Sequence, residues 1–264
     1  MKNLKIKIPK NISKKDALRY FDKINLLSFL KIKKESKKLI QSKPYFAELN
    51  DLYRLRKFII ENKRTTILEF GTGWSTLVIL SAIIELEKKH FQEIKNLRKK
   101  DKFKVFVVDN EKKFLRISKN RILKYKKSIK NNQQNIKFLF SDVSFEKINN
   151  QYCNLYKKIP LCNPDFIYLD GPNLFNIKGK LNNFTNRHHD MMPMVANILN
   201  IEPYLTPGTI ILSDGRTANM IFLKNNLKRN WVYIHDKKND QNILYLDEKP
   251  LGKINSNFLN FYKS

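Results

Sequence analysis

Thr65-Thr66-Ile67-Leu68-Glu69-Phe70-Gly71-Thr72-Gly73-Trp74-Ser75-Thr76 decides the fold. A short β-branched and apolar run, Thr66 to Phe70, reads as a buried strand. It breaks at two glycines one residue apart, and Ser75 stands where it can cap an apolar helix over Thr76 to Leu86. Strand, glycine turn and helix start together make a nucleotide-like ligand site in α/β proteins. The glycines let backbone approach a ligand, and the helix start offers unpaired N–H groups.

Outward from that stretch the same unit recurs. Phe103 to Val108 reads as a second strand ending at Asp109-Asn110, followed by a basic amphipathic helix from Glu111 to about Lys127. Ile136 to Phe140 is a third strand ending at Ser141-Asp142, and Phe145 to Ile159 is expected to be helical in part. Asp165 to Leu169 is a fourth strand, ending at Asp170-Gly171-Pro172. Residues 173–187 carry no clear period and are long for a connection, a feature common in functional loops. A helix is expected from about Asp190 to Leu205, then a fifth strand, Thr209 to Leu212, ending at Ser213-Asp214-Gly215. After a helix over Thr217 to Lys228, Trp231–His235 and Asn242–Leu246 pair as an antiparallel hairpin.

Ahead of the first strand, Ser13 can cap a helix over Lys14 to Ile40, and a second helix is expected from Pro44 through Ile59. These helices either close over a ligand site, mediate a homodimer or simply pack on the sheet. The division is residues 1–64 as an N-terminal helical extension, 65–250 as the main domain and 251–264 as a C-terminal tail. Strands alternating with helices give a doubly wound, mostly parallel sheet whose ligand site lies at the carboxyl ends of the strands. An acidic residue ends nearly every strand there, and that row is the expected site.

The bulk composition narrows the class. A chain of 264 residues with 42% hydrophobic and 12% aromatic residues is long and apolar enough for one large globular domain. The longest apolar run falls well short of a membrane span, and no secretion signal is visible, so a soluble, cytoplasmic protein is expected. Two cysteines, Cys153 and Cys162, do not make a disulfide framework. Charge is the loudest feature: 52 basic against 24 acidic residues gives +28. This is either an electrostatic footprint for nucleic acid or compositional drift. Only ten of the basic residues are Arg, and the chain is crowded with Lys, Asn and Ile, whose codons are rich in A and T.

The acids at the strand tips carry the chemistry. Asp109, after the second strand, is placed to accept hydrogen bonds from ribose hydroxyls. A dinucleotide site wants G-x-G-x-x-G, but this chain has G-x-G-x-S with Glu69 two residues before the first Gly. A carboxylate there repels a pyrophosphate and suits a cationic or amine-bearing ligand.

With these residues the chain resembles the class I S-adenosylmethionine-dependent methyltransferases. Leu68 to Ser75 looks like their first motif, E/D-x-G-x-G-x-G/S, in the Ser-ended form of small-molecule O-methyltransferases, and Pro207 to Asn219 is similar to uncharacterised bacterial members. The resemblance covers about residues 65–247. It implies a Rossmann-like sheet of seven strands with the last antiparallel. It also implies cofactor contacts from Glu69, Gly71, Thr72, Gly73, Ser75, Asp109, Asn110, Asp142 and Val143. Asp170, Asp214 and His188 would face the acceptor, a hydroxyl of a small molecule or sugar. Within the family some members bind Mg²⁺ through acids after the fourth and fifth strands, places held here by Asp170 and Asp214. The departure is Asp214-Gly215-Arg216, which removes one expected ligand and brings in a cation. The alternatives are an RNA or protein methyltransferase using the basic surface, or a binding module that keeps the fold without catalysis.

Overall fold

A computed structural model describes residues 6–30, 46–95 and 97–264. Among these, α1 (Lys14–Lys23) is capped by Ser13, whose hydroxyl accepts from the Asp16 N–H at 3.1 Å. It ends early because Asn25 takes a left-handed conformation, φ 55°, and a short 3-10 turn, Leu27–Phe29, follows. The rest of the expected first helix, and Pro44, fall outside the described residues. The second helix, α2, is Leu49–Glu61.

Next come β1 (Thr66–Phe70), α3 (Trp74–Ile94), β2 (Lys104–Asp109), α4 (Lys112–Ser128) and β3 (Ile136–Phe140). These follow the sequence reading closely, because each strand is a run of β-branched and aromatic residues closed by a turn. The helix expected within Phe145 to Ile159 is instead a hairpin of β4 (Val143–Ile148) and β5 (Gln151–Tyr156). Asn149 and Asn150 form its two-residue turn with φ 49° and 61°, the left-handed pair that such hairpins need. After β6 (Phe166–Leu169), a two-residue strand, β7 (Ile177–Lys178), pairs with β4 to complete a separate three-stranded sheet.

The helix expected from Asp190 is absent as far as Ala196. Pro193 interrupts the segment, and Asn154 holds it extended by accepting from Met194 N and pairing with Val195. Only α5 (Asn197–Ile201) and a 3-10 turn, Glu202–Tyr204, remain of it. The chain continues through β8 (Ile210–Asp214), α6 (Thr217–Asn226), β9 (Trp231–Asp236) and β10 (Gln241–Leu246). Residues Gly252–Lys263, read from sequence as part of a tail, form α7 and bury Phe258, Leu259, Phe261 and Tyr262.

The main sheet has seven strands in the order β3-β2-β1-β6-β8-β10-β9, all parallel except β10, which runs against both neighbours. This is the doubly wound, Rossmann-like architecture with its last strand reversed. Alternate residues of each central strand feed two cores. Ile67, Val105, Val107, Phe166 and Ile210 pack with α1 to α4 and α7 on one face. Leu68, Phe106, Val108, Ile167 and Ile211 pack on the other face with the β4–β5 hairpin, α5 and α6. A strand apolar on both sides is the mark of a sheet covered on both faces. The order reverses between β1 and β6, and the crevice at that switch point is where such sheets bind ligands.

Candidate functional site

At the switch point Gly71 leaves β1 with φ 99° and donates its N–H to the Val108 carbonyl at 2.8 Å. A Cβ on Gly71 would lie 2.7 Å from the Gly171 nitrogen and 2.8 Å from the Asp170 carbonyl carbon, so the tips of β1 and β6 touch through bare backbone. Gly73 is different: its φ of −169° is extended, and it caps α3 with its N–H donated to Thr76 Oγ1 at 3.1 Å. Ser75 is therefore not the cap. It lies in the first turn, and its hydroxyl donates to Glu69 Oε1 at 2.6 Å.

Glu69 is wholly buried beneath this turn, with Oε2 lacking a partner. Burial pushes its carboxyl up to about 8, helped by the charges of Asp170 and Asp109 and opposed by hydrogen bonds from Ser75 and Thr76. Asp109, at the tip of β2, accepts from the Glu111 N–H at 2.6 Å and from the Thr72 backbone. Burial raises it to about 7, against those two hydrogen bonds.

These tips floor a cavity of about 890 Å³, and Gly71, Thr72, Gly73, Ser75, Asp109, Asp170 and Asp214 all line it. Glu69 lies under the floor. Asn110 and Asp142 line a separate space of about 310 Å³. Between the two, Asn110 Nδ2 donates to the Asn173 carbonyl and Asn173 N donates to Asn110 Oδ1, both at 3.0 Å. Asp142 is held by Lys178 at 2.8 Å, and that hydrogen bond keeps its carboxyl below the usual range. Val143 starts β4 fully buried and lines neither space. His188 also lines neither; it is 60% exposed beside Asp190, so the expected acceptor-side base is not delivered to the cavity.

The sequence reading missed the roof and one wall. Arg54 enters from α2, 2% exposed, and donates to Asp51 at 2.7 Å, to the Asn239 carbonyl at 3.1 Å and to the Asn11 side chain. The available signal was an arginine set among Leu52, Leu55 and Phe58 on the apolar side of a helix. Arg121 stacks on Trp74, 3.6 Å from the ring centroid, and donates to the Gly73 carbonyl at 2.8 Å. Burial lowers the Arg121 guanidinium to about 10.

Two groups were expected here. The residues fit S-adenosylmethionine: a bare-backbone turn, an orphaned buried carboxylate oxygen on Glu69, and a cavity-facing Asp109 whose charge calls for donors. They do not fit Mg²⁺. Asp214 already accepts from Gln241 at 3.0 Å and from the Tyr168 hydroxyl at 3.0 Å, with Arg54 3.7 Å away, and Asp170 is paired with Arg216. No three His, Cys, Asp or Glu side chains among the described residues converge on a metal position. Asp170 opens into the cavity, its side chain 46% exposed. Burial raises its carboxyl, and Arg216 opposes that rise.

No protein-family model and no curated protein matches this chain. Solved structures are similar to it at low identity. The methyltransferase PaMTH1 of Podospora anserina, bound to SAH, is 10% identical over 91% of this chain and 99% of its own, with a TM-score of 0.45. An O-methyltransferase of Bacillus cereus in complex with SAH is 13% identical over 90% and 93%, at 0.37. CalS11, a TDP-rhamnose 3'-O-methyltransferase of calicheamicin biosynthesis, is 14% identical over 75% and 76%, at 0.41. In this chain itself, strand order and site define a Rossmann-like domain with a carboxylate-lined crevice. No helix among the described residues is long and apolar enough to cross a membrane.

Proposed function

We propose that this protein is an S-adenosylmethionine-dependent methyltransferase acting on a hydroxyl of a small molecule or sugar. The observation that carries the reading is Asp109: a buried, cavity-facing carboxylate beside a glycine turn that itself sits over a second buried acid, Glu69. Ribose hydroxyls donating to Asp109 supply what burial removed. The cavity wall bears six carboxylates against four cations, in a chain of net charge +28. That reversal disfavours a pyrophosphate and suits a ligand with an ammonium and a sulfonium.

The cofactor, when bound, supplies a methyl group already activated on a positive sulfur. The chain then has to hold the acceptor in line, keep water out and take one proton. In this reading Asp170 takes it, which its opening to the cavity at the tip of β6 supports. Arg54, Asn11 and Phe46 bring the N-terminal segment over the cavity, so the space favours a compact acceptor over a polymer.

Calorimetric titration with S-adenosylhomocysteine tests the reading, beside Asp109→Ala and with NAD⁺ as control. Micromolar binding that is lost in the variant, with no NAD⁺ signal, is the expected result. A folded protein that binds NAD⁺ and not S-adenosylhomocysteine overturns it.

A further inference from the structure

Asp170 and Asp214, the two carboxylates at the β6 and β8 tips, are each matched to a guanidinium before any ligand arrives. Arg216 Nη2 donates to the Asp170 carbonyl at 2.5 Å, and Nε lies 3.7 Å from Asp170 Oδ1. Its Nη1 is buried without a protein partner. Arg54 stands 3.7 Å from Asp214 Oδ1 and is itself fixed by Asp51, Asn11 and the Asn239 carbonyl. Both oxygens of Asp214 already accept hydrogen bonds, from Gln241 and from Tyr168.

A divalent cation needs a near-complete shell of oxygens at close range, and it repels fixed positive charge. Here both oxygens of Asp214 are spoken for, and each carboxylate has a fixed guanidinium 3.7 Å away. We infer that the acceptor end of this site uses fixed arginines in place of a divalent metal ion, with Arg216 at the position a metal would take beside Asp170. Arg216 is the positioning residue: it ties the β6 tip to the start of α6, opposes the rise that burial gives the Asp170 carboxyl, and sets a positive charge beside an acceptor oxygen as that oxygen loses its proton.

The catalytic meaning of this arrangement rests on the proposed methyl transfer, but its metal test does not. The full-length protein, with and without S-adenosylhomocysteine, is titrated with Mn²⁺ while the free-ion electron paramagnetic resonance signal is followed. Wild type and Arg216→Lys are expected to leave the signal unchanged throughout. Arg216→Ala, or Arg216→Gln should the alanine variant not fold, is expected to gain one weak site, about 10⁻⁴–10⁻³ M. Adding Asp170→Asn should abolish that site.

Stoichiometric Mn²⁺ binding by wild type that disappears in Asp170→Asn overturns the inference. So does a folded Arg216→Ala or Arg216→Gln protein that gains no affinity. Calorimetry on the same samples reports the cofactor reading separately, since Mn²⁺ exclusion is decided in the free protein as well.

Discussion

Asp109 makes cofactor affinity depend on pH in a fixed direction. Its carboxyl is raised to about 7 by burial, so near neutrality a large share of the free protein carries the proton. Hydroxyl donors prefer the ionised form, and binding must release that proton. S-adenosylhomocysteine affinity should therefore fall about tenfold per pH unit below 7 and level off above it. Calorimetry in buffers of different ionisation enthalpy reads the proton release directly, and a flat affinity from pH 5.5 to 8 would remove Asp109 from the role. The two glycines give a second test. Gly71→Ala puts a Cβ against two backbone atoms at positive φ and should cost about 2–4 kcal/mol in urea unfolding. Gly73→Ala meets only Ser75 Oγ at 3.8 Å and should cost under about 1 kcal/mol. In the sequence these glycines look alike, both placed for a ligand. What separates them is the neighbouring strand tip at Asp170-Gly171, which no local pattern shows. Ser75 misled for a similar reason: its rank as a cap former is local, while its partner Glu69 is set by the turn.

Elements whose signal lies within their own residues were legible, and elements defined by partners were not. The strands β1, β2, β3, β6 and β8, and α4, carry their apolar runs and turn residues in their own sequence. The β4–β5 hairpin had a signal too, alternating Val143 and Phe145 before Asn149-Asn150, but it competes with a helical reading of the same apolar residues. α7 had a signal too, Phe258, Leu259 and Tyr262 at helical spacing, in a stretch read as part of a tail; the helix covers the lower end of the sheet. There Asp165 accepts from Thr65 N at 3.0 Å, Thr66 N at 3.1 Å, Lys99 Nζ at 2.8 Å and the Tyr262 hydroxyl at 3.0 Å. Burial opposes the Asp165 charge, but Lys99, Arg64 and the hydrogen bonds outweigh it and hold the carboxyl below its usual range. Asp165→Asn breaks a buried pair and should cost about 3–5 kcal/mol, whereas Tyr262→Phe removes one hydrogen bond and should cost about 1. Thermal unfolding of the two variants checks the ratio. Equal losses would mean that α7, and not the carboxylate, holds this end of the sheet.

At the scale of the whole molecule, these buried acids pull stability in opposite directions along the pH axis. Glu69, Asp109 and Asp214 are raised to about 8, 7 and 6, each mainly by burial. The folded chain thus holds protons that the unfolded chain gives up near pH 4, so stability from these groups is greatest at low pH. It falls from about pH 4, where the unfolded carboxyls ionise, until the folded values of about 6 to 8 are passed. Asp165 works the other way: its folded value is depressed, so its contribution is present above the ordinary range and lost as pH drops through it. A net charge of +28 adds to the acid side, since every carboxylate protonated below pH 5 increases self-repulsion. The ligand-free protein should be most stable at about pH 5–6, losing melting temperature toward both ends. Each kcal/mol is worth roughly 2–4 °C in a chain of this size. S-adenosylhomocysteine should flatten the alkaline side by drawing Asp109 into its ionised form, moving the optimum upward. Asp109→Asn should remove part of the alkaline slope and most of the ligand's effect on it. A melting profile from pH 4 to 9 that is level between 6 and 8.5 in the free protein would show that the strand-tip acids ionise freely. The cavity would then be fully negative at neutral pH, and ligand binding would release no proton.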